Sequence, residues 1–276
     1  MATFKTAETK SIKVNGTKFV YREIGNKTGV PVILLHHLTA VLEDWDPRVV
    51  DGLATSHHVI IFDNRGVGSS EGATPSSVEA MADDAVAFIR ALGLRQVDLL
   101  GFSLGGFIAQ TILQRHPELV RKAVLAGTGP AGGEGISNIG SVLQTAFKKA
   151  AEAGKHPKHF LFFTQTPEGQ AAGDQFLSRL GERTEHRDTP VKDETVGAQI
   201  AAIVAWGQGD GSGLGLVRHP VLVANGDNDV MVPTINSFAL TSKLTNAQLS
   251  IFPNAGHGGI FQYHDTFVKQ VLEFLR

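Results

Sequence analysis

Five short and nearly uninterrupted apolar runs constrain this chain more than any other feature: Val30–Leu35, His58–Phe62, Val97–Leu100, Lys122–Ala126 and Val221–Ala224. A strand with one wet face alternates apolar and polar residues, so runs without alternation fit strands covered on both faces, as in a parallel sheet between helices. Helical stretches lie between the runs. Ser76 to Leu92 has a polar start, Leu104 to His116 stops before Pro117, and Thr234 to Leu244 follows Pro233. This alternation predicts right-handed βαβ units. Ala247–Phe252 is expected as the last strand and Asp265–Leu275 as a closing amphipathic helix. Ahead of them, Ser11–Val14 and Thr17–Tyr21 alternate in polarity around Asn15-Gly16, a hairpin signal. The expected fold class is α/β, with a mostly parallel sheet of about eight strands flanked by helices.

Between Gly127 and His219 the pattern breaks, with helix-like pieces at Ser141–Ala153, Glu168–Leu180 and Asp193–Trp206 and no clear buried strand. An inserted helical cap over residues 129–218 is expected, splitting one core into residues 1–128 and 219–276. Glycines crowd both edges of this segment, at residues 127–133 and 207–215, and predict a hinged cap.

Chemistry centres on Gly101-Phe-Ser103-Leu-Gly105-Gly106, placed where a buried run ends and a helix begins. It matches the nucleophile elbow G-x-S-x-G, in which only very small residues fit two positions either side of a serine held on a tight turn. The amide of Leu104, opening the helix, points where an oxyanion would form. A serine hydroxyl needs a general base held by a third group. Downstream, Asn225-Gly-Asp-Asn-Asp-Val-Met-Val-Pro233 follows one buried run, and Pro253-Asn-Ala-Gly-His257-Gly-Gly259 follows the last strand, in the order Ser, Asp, His. Asp227-Asn-Asp229 lacks the glycine and distal glutamate of a calcium loop, so no metal is expected.

The joint occurrence of Leu34-Leu-His36, Phe62-Asp-Asn-Arg-Gly66-Val-Gly68-Ser69, the Ser103 turn, the acid loop and Asn254-Ala-Gly-His257 resembles the α/β-hydrolase superfamily over nearly the whole chain. Within it, the turn resembles those of cofactor-free haloperoxidase and perhydrolase-like esterases and of enol-lactonases. The resemblance implies a serine hydrolase cleaving a small carboxylic ester or lactone, with Ser103, Asp229 and His257 catalytic and no cofactor. The G-x-x-D-x-x-x-P setting matched by Gly226, Asp229 and Pro233 favours Asp229 over Asp227. Leu38 and Leu104 are the implied oxyanion donors. His37 stands where relatives carry glycine; if the loop needs a positive φ there, histidine adopts it at a cost of about 1–2 kcal/mol, and its side chain is expected to be incidental to the chemistry rather than a third oxyanion donor. His37, Phe102, Phe162, Trp206 and Val230 are candidate pocket residues, and the second pair, His57-His58, reads as structural. Receptors on the same fold that retain a triad, and a perhydrolase-like side activity, are the alternatives.

Composition narrows the partners. Formal charge is −2 with scattered lysines and arginines, which removes the basic stripe expected of a nucleic-acid or anionic-membrane binder and leaves a small neutral substrate. The absence of cysteine excludes disulfides, thiolate metal sites and a cysteine nucleophile. No apolar leader or spanning run is read, so a cytoplasmic location is expected.

Overall fold

The computed structural model describes residues 2–276. The hairpin forms from β1 (Lys10–Val14) and β2 (Thr17–Ile24), and its turn holds Asn15 at φ 49° and Gly16 at φ 86°, the left-handed pair that a two-residue connection needs. Six further strands follow: β3 (Val32–Leu35), β4 (Val59–Phe62), β5 (Val97–Phe102), β6 (Val120–Ala126), β7 (Val221–Gly226) and β8 (Ala247–Phe252). They make one eight-stranded sheet in the order β1-β2-β4-β3-β5-β6-β7-β8, antiparallel where β2 meets β1 and β4, and parallel elsewhere. All residues of β3, β4, β5 and β7 are buried. This explains their lack of alternation, since each such Val, Leu or Ile contributes about 1.5–3 kcal/mol by leaving water. The edge strand β8 is half-exposed.

Among the described residues there are ten α-helices: α1 (Pro47–Ala54), α2 (Val78–Ala91), α3 (Leu104–Arg115), α4 (Ile139–Ala153), α5 (Lys158–Leu161), α6 (Pro167–Leu180), α7 (Asp193–Gly207), α8 (Ile235–Lys243), α9 (Gly259–Gln262) and α10 (His264–Phe274). Helix α1 packs on α10, and α2 on α3. Sequence periodicity does not reveal α1, although Asp46 caps it by accepting from the Arg48 amide at 2.9 Å and Pro47 occupies its first position. Among the described residues no helix is long and apolar enough to cross a membrane.

Helices α4 to α7 all lie between β6 and β7, and the segment is pinned to the sheet domain by buried charges. Arg179 of α6 donates to both carboxylate oxygens of the fully buried Asp46, at 2.6–3.0 Å. Arg183 donates to the Ala7 carbonyl at 2.8 Å and pairs with buried Glu43 at 3.6 Å. Several of the edge glycines are packed too closely to admit a side chain. A methyl group on Gly207 would lie 2.4 Å from the Ser137 nitrogen, and one on Gly129 would lie 2.8 Å from the Asn236 Cβ.

Candidate active site

The carboxyl end of the central strand β5 runs directly into α3, and the joining residue is Ser103 at φ 56°, ψ −117°. A non-glycine residue at this φ carries strain that its surroundings must hold. Three hydrogen bonds do so: the Ser103 amide donates to the Ala126 carbonyl at 2.9 Å, while its own carbonyl accepts from the Gly106 amide at 2.8 Å and from the Thr128 hydroxyl at 2.9 Å. The flanking glycines are sterically compelled. A methyl group on Gly101 would sit 2.3 Å from the Gly105 carbonyl oxygen, and one on Gly105 only 2.0 Å from that of Leu35.

His257 arrives from the loop between β8 and α9, after Asn254 at φ 50°. Its ring is wedged beside Phe102 and Phe162, with centroids 4.8 and 5.4 Å away. Nδ1 lies 2.7 Å from Asp229 Oδ2, both side chains being fully buried. The other Asp229 oxygen accepts from the Met231 and Val232 amides at 2.8 and 3.0 Å, which fixes the carboxylate's orientation. Asp227 takes a different place: its Oδ1 accepts from the Ala255 amide at 3.1 Å and tethers the histidine loop. His257 Nε2 is buried and has no partner among the described residues.

Ser103 and His257 share the wall of a cavity of about 590 Å³. Leu38 joins them, and neither its amide nor that of Leu104 makes a backbone hydrogen bond among the described residues. In this loop the positive φ belongs to Thr39, at φ 62°, whose amide donates to Gln199 of α7 at 2.7 Å. His37 therefore needs no glycine-like backbone. Its ring lies edge-on to Phe102 and Phe162, at 5.1 and 5.4 Å, and lines the cavity. Burial, reinforced by the Lys158 ammonium, holds the imidazole well below the usual histidine range, so it is neutral.

Of the other expected pocket residues, Phe162 lines this cavity and Phe102 lies fully buried behind it, supporting His37 and His257. Trp206 is elsewhere. It stacks on Phe107 at 5.1 Å, donates to the Gly129 carbonyl at 3.2 Å and lines a separate cavity, because α7 turns that face toward α3. Val230 lines a separate open cavity, and it is the next residue, Met231, that lines the cavity of Ser103. Phe176, among the aromatics of the capping segment, stacks on Phe261 at 4.8 Å and is core.

Sequence reasoning missed the polar wall of the cavity: Thr39, Asp44, His156 and Lys158. Lys158 of α5 pairs with Asp44, which precedes α1, and its ammonium lies over the Phe162 and Phe176 rings at 5.7 and 5.8 Å. Burial would raise the Asp44 carboxyl, but the Lys158 ammonium, helped by its hydrogen bond and by the Val41 amide, overrides it and holds it at about 2. The one available signal was a charged pair, Glu43-Asp44, inside the apolar stretch Val41 to Trp45. Among the described residues, no group of three or more metal-ligating side chains is assembled.

The sequence pattern of the alpha/beta hydrolase fold matches residues 30–262. The solved alpha/beta hydrolase fold protein of Chitinophaga pinensis is 40% identical and superposes with a TM-score of 0.96 over 99% of both chains. The non-heme chloroperoxidase of Streptomyces lividans is 27% identical, over 95% of this chain and 97% of its own. The enol-lactonase of Burkholderia xenovorans, 22% identical with a TM-score of 0.76, covers 96% of this chain and 99% of its own and shares the fold.

Proposed function

We propose, from the premise that this chain belongs to the α/β-hydrolase family, that it is a serine hydrolase cleaving a small carboxylic ester or lactone through an acyl-enzyme on Ser103. The observation that carries this reading is the 2.7 Å contact between His257 Nδ1 and Asp229, with the free Nε2 buried in the wall that Ser103 shares. His257 Nε2 takes the Ser103 proton, the alkoxide adds to the carbonyl carbon, and the imidazolium then protonates the leaving alcohol as the tetrahedral intermediate collapses. A water molecule, deprotonated by the same nitrogen, releases the acid and restores Ser103. The Leu38 and Leu104 amides hold the oxyanion; losing one such donor typically costs about 10²–10³-fold in kcat. Asp229 keeps the proton on Nδ1 and stabilises the imidazolium. Residues 129–218 act as a cap that closes the acyl pocket. No cofactor is required by this chemistry.

Hydrolysis of p-nitrophenyl esters and of lactones with graded acyl chains tests the reading. Turnover of short to medium esters, or of lactones, is expected. A protein that binds such molecules stoichiometrically and never releases product would be a receptor on this fold.

A further inference from the structure

The Ser103 cavity mixes two kinds of lining residue: apolar Leu143, Phe147, Leu161 and Val196, and polar His37, Asp44 and Lys158. Among the described residues, the Lys158 ammonium makes a single hydrogen bond, to Asp44, although it carries three donors. Asp44 spends its second oxygen on the Val41 amide, at 3.0 Å. His37 is buried, and neither of its ring nitrogens has a protein partner among the described residues. Unpaired buried polar groups are costly unless a ligand or water satisfies them.

We propose that this polar lining selects a neutral ester or lactone that carries a secondary amide beyond its scissile carbonyl. The inference rests on the serine-hydrolase reading of the same cavity. An amide oxygen accepts from Lys158, and its N–H donates to Asp44 or to the acceptor nitrogen of a neutral His37 ring. A carboxylate fits less well. The Lys158–Asp44 pair has no net charge, and exposed Asp193 adds a negative charge to the lining. A purely alkyl chain would leave His37 and the spare Lys158 donors unpaired. A clasp between α5 and the segment before α1 would explain the ion pair alone, but not why it lines the reaction cavity beside an unpartnered histidine.

Calorimetric titration of the Ser103→Ala protein, in which esters persist, compares three ligands of equal chain length: phenyl N-acetyl-β-alaninate, phenyl hexanoate and phenyl hydrogen adipate. The amide ester is expected to bind at least about tenfold tighter than the other two, the range of a hydrogen bond to a charged group. Adding Lys158→Met should shrink that preference below about threefold, a residue of less than half the tenfold free-energy difference. So should Lys158→Met combined with Asp44→Asn, which leaves no unpaired charge. Equal affinity for the amide and hexanoyl esters, tighter binding of the adipate, or a preference surviving both variants would overturn the proposal. Equal weakening of all three ligands by Lys158→Met would reduce the pair to a clasp and overturn it as well. Phenol release by the Ser103→Ala protein is read separately and counts against the serine mechanism instead.

Discussion

Replacing Asp229 by asparagine changes one atom, and the surrounding hydrogen bonds dictate how the new side chain must sit. The oxygen now facing the Met231 and Val232 amides, at 2.8 and 3.0 Å, has to remain an oxygen, because both partners are donors. The NH₂ group of the amide is thereby turned toward His257 Nδ1, where a carboxylate oxygen stood at 2.7 Å. A donor facing Nδ1 forces the ring to its other tautomer, with the proton on Nε2, and that nitrogen can no longer take the Ser103 proton. The expected loss in kcat is about 10⁴-fold, equivalent to roughly 5 kcal/mol of barrier. Asp227→Asn is the control, since an amide oxygen can still accept from Ala255 and the imidazole is untouched; less than about a tenfold loss is expected there, some 1.4 kcal/mol. Steady-state hydrolysis of a chromogenic ester by both variants, with melting curves to show that each is folded, measures the contrast. Equal losses, or the larger loss at Asp227, would refute the assignment of the acid and the tautomer reasoning together.

Gly105→Ala is expected to destabilise the protein by at least about 1–3 kcal/mol, the usual cost of overpacking, because the added methyl meets the rigid Leu35 carbonyl at 2.0 Å; chemical denaturation measures it, and unchanged stability would mean that the turn is looser than described. Burial holds the His36 imidazole at about 4, against an ordinary 6.5. Below 6.5 the unfolded chain binds a proton that the folded one refuses, so this contribution is whole above that value and is lost as the pH falls toward 4, by about 3 kcal/mol. His36→Asn should flatten the decline in urea stability between pH 7 and pH 4, the span set by those two values, and parallel curves for variant and parent would contradict it.

Much of this was legible along the chain for identifiable reasons. Strands β3, β4, β5 and β7 are buried on both faces, so hydrophobic content alone marked them. The relation of Asp229 and His257 also follows local rules: each sits in a loop after a strand, and the parallel sheet brings such loops to one edge. Pairings across long separations left no periodic trace. Lys158 and Asp44 are 114 residues apart, and Arg179 and Asp46 are 133 apart. Trp206 and Val230 illustrate the same limit. Their residue types suit a pocket, but which cavity they face depends on how the capping helices dock and where one loop turns, and neither is encoded in nearby spacing. The positive φ at Thr39, two residues beyond His37, shows that a motif can fix a loop's position without fixing which residue takes the strained conformation.

If turnover passes through an acyl-enzyme on Ser103, that serine can be trapped as a stable covalent adduct. A phosphonate ester bearing a good leaving group, added to the native protein and followed by peptide mass spectrometry, reads out the modified residue. One adduct on Ser103 is expected, formed far faster than in the Asp229→Asn protein and absent after Ser103→Ala, in step with loss of ester hydrolysis. A protein that hydrolyses esters while Ser103 stays unmodified, or that is labelled at another residue with equal loss of activity, would contradict the account.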